Sequence, residues 1–266
     1  MQIVTNYPDG LFNWVDLATT DIEGAKAFYT ALFGWETTDM PLPGDGFYTT
    51  FKLNGYQVAG GGQMQPEMQA QGIPSNWSSY VKHSNADAIA EKITAAGGTL
   101  MFPPMDIMSE GRMLMAVDPS GAVFGVWQPQ NHIGAQLVNI SSSLVWNELQ
   151  TRDAAAAQAF YSAVFGWTAE ADDSGYVTYA MDGRRQAGMM QMDENWPAGV
   201  PSNWAVYFGV DDIHATVAKA QALGGQVMVP PTPAGAVGVF AVIQDPQGAV
   251  FTAIQMNMPG DPPPGA

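Results

Sequence analysis

The chain has 266 residues, of which 47% are apolar, 11% aromatic and 13% charged. This length suits two compact domains, and the apolar fraction is sufficient for a buried core. The formal net charge of −16 disfavours binding to nucleic acid or to an anionic membrane surface, because both are polyanions. Cysteine is absent, which excludes disulfides, thiolate metal sites and a cysteine nucleophile.

Targeting signals and membrane spans are not evident in the sequence. The first ten residues, MQIVTNYPDG, contain no basic segment followed by an apolar run, as a signal peptide would. No apolar stretch approaches the ~20 residues that a transmembrane helix needs. These patterns predict a soluble protein of the cytoplasm, and they leave a monomer and a homodimer equally open.

The first elements of the chain follow a βαβββ order that then restarts. Alternating residues predict a strand over Phe12–Thr19, and Asp21 caps a following helix that Gly34 ends. Strands are predicted over Phe47–Leu53 and Tyr56–Gln63. The second unit is predicted from a strand, a helix and three strands, at Trp77–Lys82, Ala86–Ala96, Thr99–Phe102, Arg112–Val117 and Ala122–Trp127.

The second half of the sequence repeats the first. NWVDLATTDIEGAKAFYTALFGW, beginning at Asn13, returns as VWNELQTRDAAAAQAFYSAVFGW, beginning at Val145. The motif PSNW at Pro74 returns at Pro201, so the first copy carries about five extra residues, mostly around MPLPGDG. We therefore predict a first domain over residues 1–128, a linker over 129–139, a second domain over 140–258 and a flexible tail over 259–266.

This element order resembles that of the vicinal oxygen chelate superfamily, with AFYTALFGW closing the first helix and DPSGAVFGV opening the last strand. The superfamily includes glyoxalase I, extradiol dioxygenases and the bleomycin- and fosfomycin-resistance proteins. The segments NWVDL, GRM, DPSGA, NHIGA and PSNW resemble a tandem glyoxalase-like subgroup that contains a mycobacterial antigen. The resemblance implies an α+β fold of four βαβββ units, which form two domains with open half-barrel sheets and helices outside.

Strand periodicity predicts which side chains face the cavity of each half-barrel. Trp14 and Asp16 alternate with apolar residues of the first strand, as Trp146 and Glu148 do in the second copy. The predicted ligand-binding side chains are Trp14, Asn76, Ser78, Tyr80, Arg112, Trp127, Trp146, Asn203 and Tyr207.

The resemblance also implies where metal ligands would stand, on the first, fifth and eighth strands of a half, as His or Gln, His and Glu. The matching positions are Trp14, Ser78 and Gly125, with Trp146, Ala205 and Thr252 in the second half. None of the six is a usual ligand of a transition metal. We therefore predict no metal and no cofactor, and interpret the three histidines as surface or linker residues: His83, His132 and His214.

Two carboxylates and one arginine are the candidates for chemistry. Asp16 and Glu148 would each lie in a largely apolar cavity, where the pKa of a carboxyl group rises and allows general acid or base catalysis. Each could instead orient a ligand, or accept an internal hydrogen bond from Tyr, Trp or Asn. Arg112, which corresponds to Val239, could hold an anionic ligand group or pair with Asp16 or Glu110.

The leading hypothesis is a protein that binds a small apolar or aromatic molecule in a metal-free cavity. A second hypothesis is a glyoxalase-related lyase or isomerase that uses Asp16 or Glu148 as general base. A third is an interaction scaffold without catalysis. The expected partner is a small molecule, and neither nucleic acid nor a membrane.

Overall fold

The computed structural model describes residues 3–43 and 46–257, so the predicted flexible tail over 259–266 lies outside the described residues. In the first half the elements are β1 (Phe12–Thr19), α1 (Ile22–Phe33), β2 (Glu36–Pro41), β3 (Phe47–Leu53), β4 (Tyr56–Gln63), α2 (Pro66–Ala70), β5 (Asn76–Lys82), α3 (Ala86–Ala95), β6 (Thr99–Ile107), β7 (Gly111–Val117) and β8 (Val123–Pro129). In the second half they are β9 (Leu144–Thr151), α4 (Ala154–Phe165), β10 (Thr168–Ala171), β11 (Val177–Met181), β12 (Arg184–Gln191), β13 (Asn203–Gly209), α5 (Ile213–Ala222), β14 (Gln226–Ala234), β15 (Gly238–Gln244) and β16 (Val250–Met256).

Each half forms one eight-stranded sheet, in the order β2-β3-β4-β1-β5-β8-β7-β6 and β10-β11-β12-β9-β13-β16-β15-β14. The two βαβββ units of a half join through an antiparallel pair, β1 with β5 and β9 with β13. The pairs β1–β4 and β5–β8 are parallel. The fold predicted from the sequence is therefore confirmed: four repeated units form two open sheets, with two units in each sheet. Among the described residues, no helix combines the length and apolarity that crossing a bilayer requires.

The repeated helix ends explain why the two halves fold alike. The Asp21 side chain accepts a hydrogen bond from the backbone N–H of Gly24 at 3.0 Å, which satisfies one free donor of the first turn of α1. Gly34 ends the helix in the left-handed conformation (φ 73°), where a residue with Cβ is strained. In the second half, Asp153 caps α4 in the same way, and Gly166 ends α4 in the same left-handed conformation.

Three elements of the first half differ from the prediction, and one of them is the short helix α2, Pro66–Ala70, which was not predicted. Strand β2 was not predicted because its residues, ETTDMP, carry little apolar alternation on an edge strand. Strand β6 continues past Phe102 to Ile107 through two prolines, Pro103 and Pro104. An edge strand tolerates proline because one row of its N–H groups has no partner strand.

The helices lie outside each sheet, as predicted, but they also lie between the two sheets. Tyr29 of α1 packs on Phe51 of its own sheet, with ring centroids 6.1 Å apart. Phe28 and Phe33 of the same helix contact Phe251 and Phe208 of the second sheet, at 6.4 and 5.3 Å. Helix α4 contacts both sheets in the same way, and both hydrophobic clusters combine residues of the two halves. The core is therefore shared.

A buried chain of hydrogen bonds crosses between the halves. Trp77 Nε1 donates to the Tyr29 hydroxyl at 2.9 Å, and that hydroxyl donates to Asp245 Oδ2 at 2.9 Å. Burial raises the pKa of Tyr29 well above its usual range, so the hydroxyl remains a donor. The same chain returns in the opposite direction through Trp204, Tyr161 and Asp118.

We expect Tyr29→Phe to lower the free energy of unfolding by about 1–3 kcal/mol, because Trp77 loses its acceptor and Asp245 loses a donor. Urea unfolding monitored by circular dichroism measures this change. Tyr56→Phe is the matched control, since no hydrogen bond of the Tyr56 hydroxyl is found among the described residues, and its effect should stay within about 0.5 kcal/mol. Equal effects of the two substitutions would contradict the role given to the Tyr29 hydroxyl.

Candidate functional site

The candidate site of the first half begins with the inner face of β1. In the β1–β5 pair Trp14 lies opposite Tyr80 and Asp16 opposite Ser78. On the other side of β1, Asp16 is paired with Gly60 of β4. Because alternate residues of a strand share a face, these side chains meet on the side of the sheet that the helices leave free. The predicted inward orientation of Trp14 and Asp16 is therefore observed.

Tyr48 of β3 joins the indole of Trp14 to the carboxyl group of Asp16. Trp14 Nε1 donates to the Tyr48 hydroxyl at 3.0 Å. Burial raises the pKa of Asp16 to about 7, although a hydrogen bond from Tyr48 acts in the opposite direction. Burial and the charge of Asp16 raise the pKa of Tyr48 well above its usual range. Near neutral pH, Asp16 can therefore exist both with and without a proton.

Gly60 is required for this arrangement. A Cβ atom built on Gly60 would overlap the Tyr48 hydroxyl and would lie 3.0 Å from Trp14 Cζ2. Only a residue without a side chain lets Tyr48 cross β4 to reach Asp16 on β1. Gly62, two positions further along the same strand, has open space by comparison, with its nearest neighbour, Tyr48 Cδ2, at 4.0 Å.

A cavity of about 180 Å³ lies next to the Asp16 carboxyl group. Its polar groups are the Asp16 carboxyl group, the hydroxyl groups of Tyr48, Ser78 and Tyr80, and the amides of Gln63 and Gln65. Its remaining walls are largely apolar and come from β1, β4 and the segment that follows β4. The complete lining is Asp16, Leu17, Ala18, Tyr48, Gly62, Gln63, Met64, Gln65, Met68, Ser78 and Tyr80.

The second half repeats this group of a tryptophan, a carboxylate and two tyrosines, and there both tyrosines donate hydrogen bonds to the carboxylate. Trp146 Nε1 donates to the Tyr176 hydroxyl at 3.0 Å, and that hydroxyl donates to Glu148 Oε2 at 3.0 Å. The Tyr207 hydroxyl donates to Glu148 Oε1 at 2.8 Å, and Gln150 Nε2 donates to the same oxygen at 3.3 Å. Burial raises the pKa of Glu148, against these hydrogen bonds. Both oxygens of Glu148 thus have protein donors.

Other predicted residues have local roles. Asn76 Nδ2 donates to Pro74 O at 2.9 Å, and Asn203 Nδ2 donates to Pro201 O at 3.0 Å, so each amide holds the turn before its strand. Trp127 lies on the inner face of β8, and its Nε1 donates to His132 O at 2.7 Å.

Arg112 does not reach the cavity, and neither Asp16 nor Glu110 is its partner. The alternation of β7 turns the side chain toward α3, where Nε and Nη2 donate to the two Asp87 oxygens at 3.1 and 2.9 Å. Nη1 donates to Asp106 Oδ1 at 3.0 Å. These ion pairs are partly exposed. Arg112, which has no arginine counterpart in the second half, therefore forms ion pairs at the surface and does not place its guanidinium group in the cavity.

His132 lies in the segment predicted as the linker, but the sequence did not predict that it is largely buried. Its ring lies edge-on to Trp14, with centroids 4.4 Å apart, and 5.6 Å from the ring of Trp127. Burial lowers the pKa of His132 to about 4, so the ring is neutral at physiological pH. The linker thus packs against Trp14 of the first sheet. His83 and His214 are not buried, as predicted.

The donor set of the cavity does not fit a transition metal of the kind that the superfamily implies. Asp16 is the single carboxylate of the lining, and the other polar groups are hydroxyls and amides. Such metals are held by imidazole, carboxylate or thiolate groups in larger number. Over residues 3–43 and 46–257, no three His, Cys, Asp or Glu side chains gather closely enough to bind an ion.

A larger groove of about 440 Å³ lies elsewhere, where the N-terminal segment meets the end of α4. It is lined by residues of both halves, among them Asp9, His83, Lys92 and Asp182. None of its lining residues belongs to the cavity at Asp16. We base the candidate site on the smaller cavity, because there a buried carboxyl group of raised pKa meets two tyrosines.

The sequence analysis did not predict Tyr48 and Tyr176, whose hydroxyl groups are hydrogen-bonded to the carboxyl groups of Asp16 and Glu148. They are matched across the repeat, as are Gly60 and Gly188, whose Cβ atoms would overlap the two tyrosine hydroxyls. The signal was therefore present as a repeated tyrosine and a repeated glycine. It could not be interpreted without the register that pairs Gly60 with Asp16 and Gly188 with Glu148.

Comparison with known proteins identifies the family. The sequence model of the Glyoxalase/Bleomycin resistance protein/Dioxygenase superfamily matches twice, over residues 11–126 and 137–252. The chain therefore belongs to this superfamily, with one match in each half.

Two curated relatives extend over nearly the whole chain. CFP32 of Mycobacterium tuberculosis, whose name assigns it provisionally to the glyoxylases, is 44% identical over 256 residues, covering 94% of this chain and 97% of its own. The anthracycline biosynthesis protein DauV of Streptomyces sp. (strain C5) is 34% identical over 269 residues, covering 96% of each chain.

Among solved structures, the Mn(II)-bound glyoxalase from Novosphingobium aromaticivorans matches with a TM-score of 0.65 and 16% identity, covering 96% of this chain and 85% of the other. At this identity the likeness shows the fold alone.

We expect Gly60→Ala to destabilise the protein by about 1–3 kcal/mol, because the new Cβ displaces the Tyr48 hydroxyl and breaks its bond with Trp14. Gly62→Ala, in the same strand but with open space, should change stability by less than about 0.5 kcal/mol. Urea unfolding followed by tryptophan fluorescence measures both. A Gly60→Ala variant as stable as Gly62→Ala would show that Tyr48 is not held against Gly60.

The raised pKa of Asp16 makes stability depend on pH. Between the ordinary value of 3.8 and about 7, the folded protein retains a proton that the unfolded chain has released. The contribution of Asp16 to stability therefore falls as pH rises through this range and is constant above it. Asp16→Asn does not titrate, so its stability relative to the parent should rise by on the order of 3 kcal/mol from pH 4 to pH 8. Urea unfolding at both pH values tests this, and a constant difference would contradict it.

Proposed function

We propose that the protein binds a small apolar or aromatic molecule in the first-half cavity, and that it does so without a metal ion. The observation that carries the proposal is the cavity beside Asp16, where a buried carboxyl group and the Tyr80 hydroxyl face an otherwise largely apolar space. Ligand sites commonly combine apolar walls with a few polar groups that orient the ligand.

The size and lining of the cavity limit the class of ligand. A dry cavity of about 150 Å³ holds a benzene molecule, so about 180 Å³ admits one ring with a small substituent. Met64 and Met68 supply flexible thioether walls that contact aromatic rings favourably.

Metal independence is supported by the donor set. Asp16 is the one carboxylate of the lining, and the positions that the superfamily uses for metal ligands hold Trp14, Ser78 and Gly125. Gly125 lies against the Tyr80 ring, where a Cβ atom would overlap ring carbons. This position therefore accommodates an aromatic side chain in place of a ligating carboxylate.

A second candidate function is catalysis, favoured by one observation. The pKa of Asp16, about 7, lies near working pH, as an efficient general base requires. Asp16 would remove a proton from a bound aldehyde or its adduct in a lyase or isomerase, and Tyr80 would hydrogen-bond the substrate oxygen. Glu148 is less suited to this role, because both of its oxygens already accept hydrogen bonds. Loss of turnover in Asp16→Asn, with the fold retained, would favour the enzyme.

We further propose a cytoplasmic location and a small-molecule partner in preference to nucleic acid or a membrane surface. The net charge of −16 supports both exclusions, since each of those partners is anionic.

Quenching of tryptophan fluorescence by nitrobenzene tests the binding proposal. We expect quenching that saturates at one equivalent per chain and is the same with EDTA as with added Mn²⁺. Trp14→Phe should remove most of the saturable quenching, because the Trp14 indole is hydrogen-bonded to Tyr48, which lines the cavity. Trp146→Phe, the matched substitution in the closed second half, should leave it in place. Quenching that rises linearly with nitrobenzene, or that requires the metal, would contradict the proposal.

A further inference from the structure

The two halves hold the same four groups, a tryptophan, a carboxylate and two tyrosines, yet only in the second half do both tyrosines donate to the carboxylate. Asp16 accepts hydrogen bonds from Tyr48 and from the backbone N–H of Leu17. Glu148 accepts a hydrogen bond from Tyr207 in addition to that from Tyr176. In the first half, no hydrogen bond of the Tyr80 hydroxyl is found among the described residues. Burial and the charge of Asp16 raise the pKa of Tyr80 well above its usual range, so its proton is retained.

Three substitutions between the halves explain the difference. Asp16 is one methylene shorter than Glu148 and cannot reach as far toward the tyrosine of the neighbouring strand. Ala18 stands where Gln150 supplies a third donor, and Ala18 lines the cavity. Gly125 stands where Thr252 pairs with Tyr207, and the Tyr80 ring occupies the space that a Cβ atom at Gly125 would take.

These differences leave a defined space between a hydrogen-bond donor and an acceptor. The Tyr80 hydroxyl can donate into the cavity, and the Asp16 carboxylate can accept from it. A ligand hydroxyl can do both at once, because it carries one donor and two acceptor lone pairs. It would complete in the first half the connection that Tyr207 makes directly to Glu148 in the second half.

We propose that the first-half cavity is a site for a neutral phenol, whose hydroxyl group bridges Tyr80 and Asp16, and that the second half is its closed counterpart. This inference rests on the proposed binding function and narrows its ligand class. The ring would lie against Met64 and Met68, within a space of about 180 Å³. Above about pH 7, where Asp16 is ionised, an aromatic carboxylate is excluded, because its charge would face the Asp16 carboxylate in a chain of net charge −16.

Fluorine NMR titration of the full chain at pH 8, where Asp16 is ionised and a phenol is neutral, tests this site with three probes: 4-fluorophenol, fluorobenzene and 4-fluorobenzoate. We expect 4-fluorophenol to bind at one equivalent per chain. Fluorobenzene should bind at least about tenfold more weakly, since it leaves Tyr80 and Asp16 without their bridge. 4-Fluorobenzoate should not bind detectably. Equal binding of the phenol and fluorobenzene would overturn the phenol site while leaving aromatic binding in place, whereas binding of none of the probes would overturn both.

Exchange of the three residues locates the site. Asp16→Glu/Ala18→Gln/Gly125→Thr should close the first cavity and weaken 4-fluorophenol binding at least about tenfold. The reciprocal variant, Glu148→Asp/Gln150→Ala/Thr252→Gly, should retain the first site and raise the stoichiometry toward two. Circular dichroism confirms that each variant is folded. If the first triple variant is folded and binds 4-fluorophenol unchanged, the assignment is overturned. If the first triple variant does not fold, the reciprocal variant decides, and a stoichiometry that stays at one would overturn the assignment.

Discussion

A carboxyl group that is withdrawn from water must be hydrogen-bonded or protonated, and this constraint organises the inner face of each sheet. Glu148 is satisfied by tyrosines from two different strands. Asp16 has fewer protein donors, and its removal from water raises its pKa to about 7. The glycines Gly60 and Gly188 follow from the same requirement, because each lets a tyrosine cross the neighbouring strand to reach the carboxylate.

The two halves share one frame of side chains but differ in how their carboxylates are hydrogen-bonded. The frame of tryptophan, tyrosine and glycine is the same in both halves, and it depends on strand register. Differences of a single methylene, an amide and a Cβ atom decide whether the second tyrosine reaches the carboxylate. Small changes have a large effect because protein interiors are close-packed, and a missing donor leaves either a cavity or an unsatisfied group.

The helical layer between the sheets makes the two halves dependent on each other. Helix α1 contributes aromatic side chains to both sheets, and its Tyr29 hydroxyl donates to Asp245 of the second half. If one half were isolated, the aromatic rings that pack on the other half would be exposed to water. The two halves are therefore repeats in sequence, while the core that stabilises them is common to both.

The sequence alone determined the local structure and the repeat. Helix caps at Asp21 and Gly34 and strand alternation at Trp14 and Asp16 follow from neighbouring residues, whose preferences act over a few positions. The edge strand β2 does not, because its residues lack apolar alternation. Only the tertiary structure decided that Tyr48 is the partner of Asp16, that Arg112 turns toward α3, and that His132 packs on Trp14. These contacts join residues that are far apart in the sequence. Their geometry depends on sheet register and on loop packing, which no local pattern encodes.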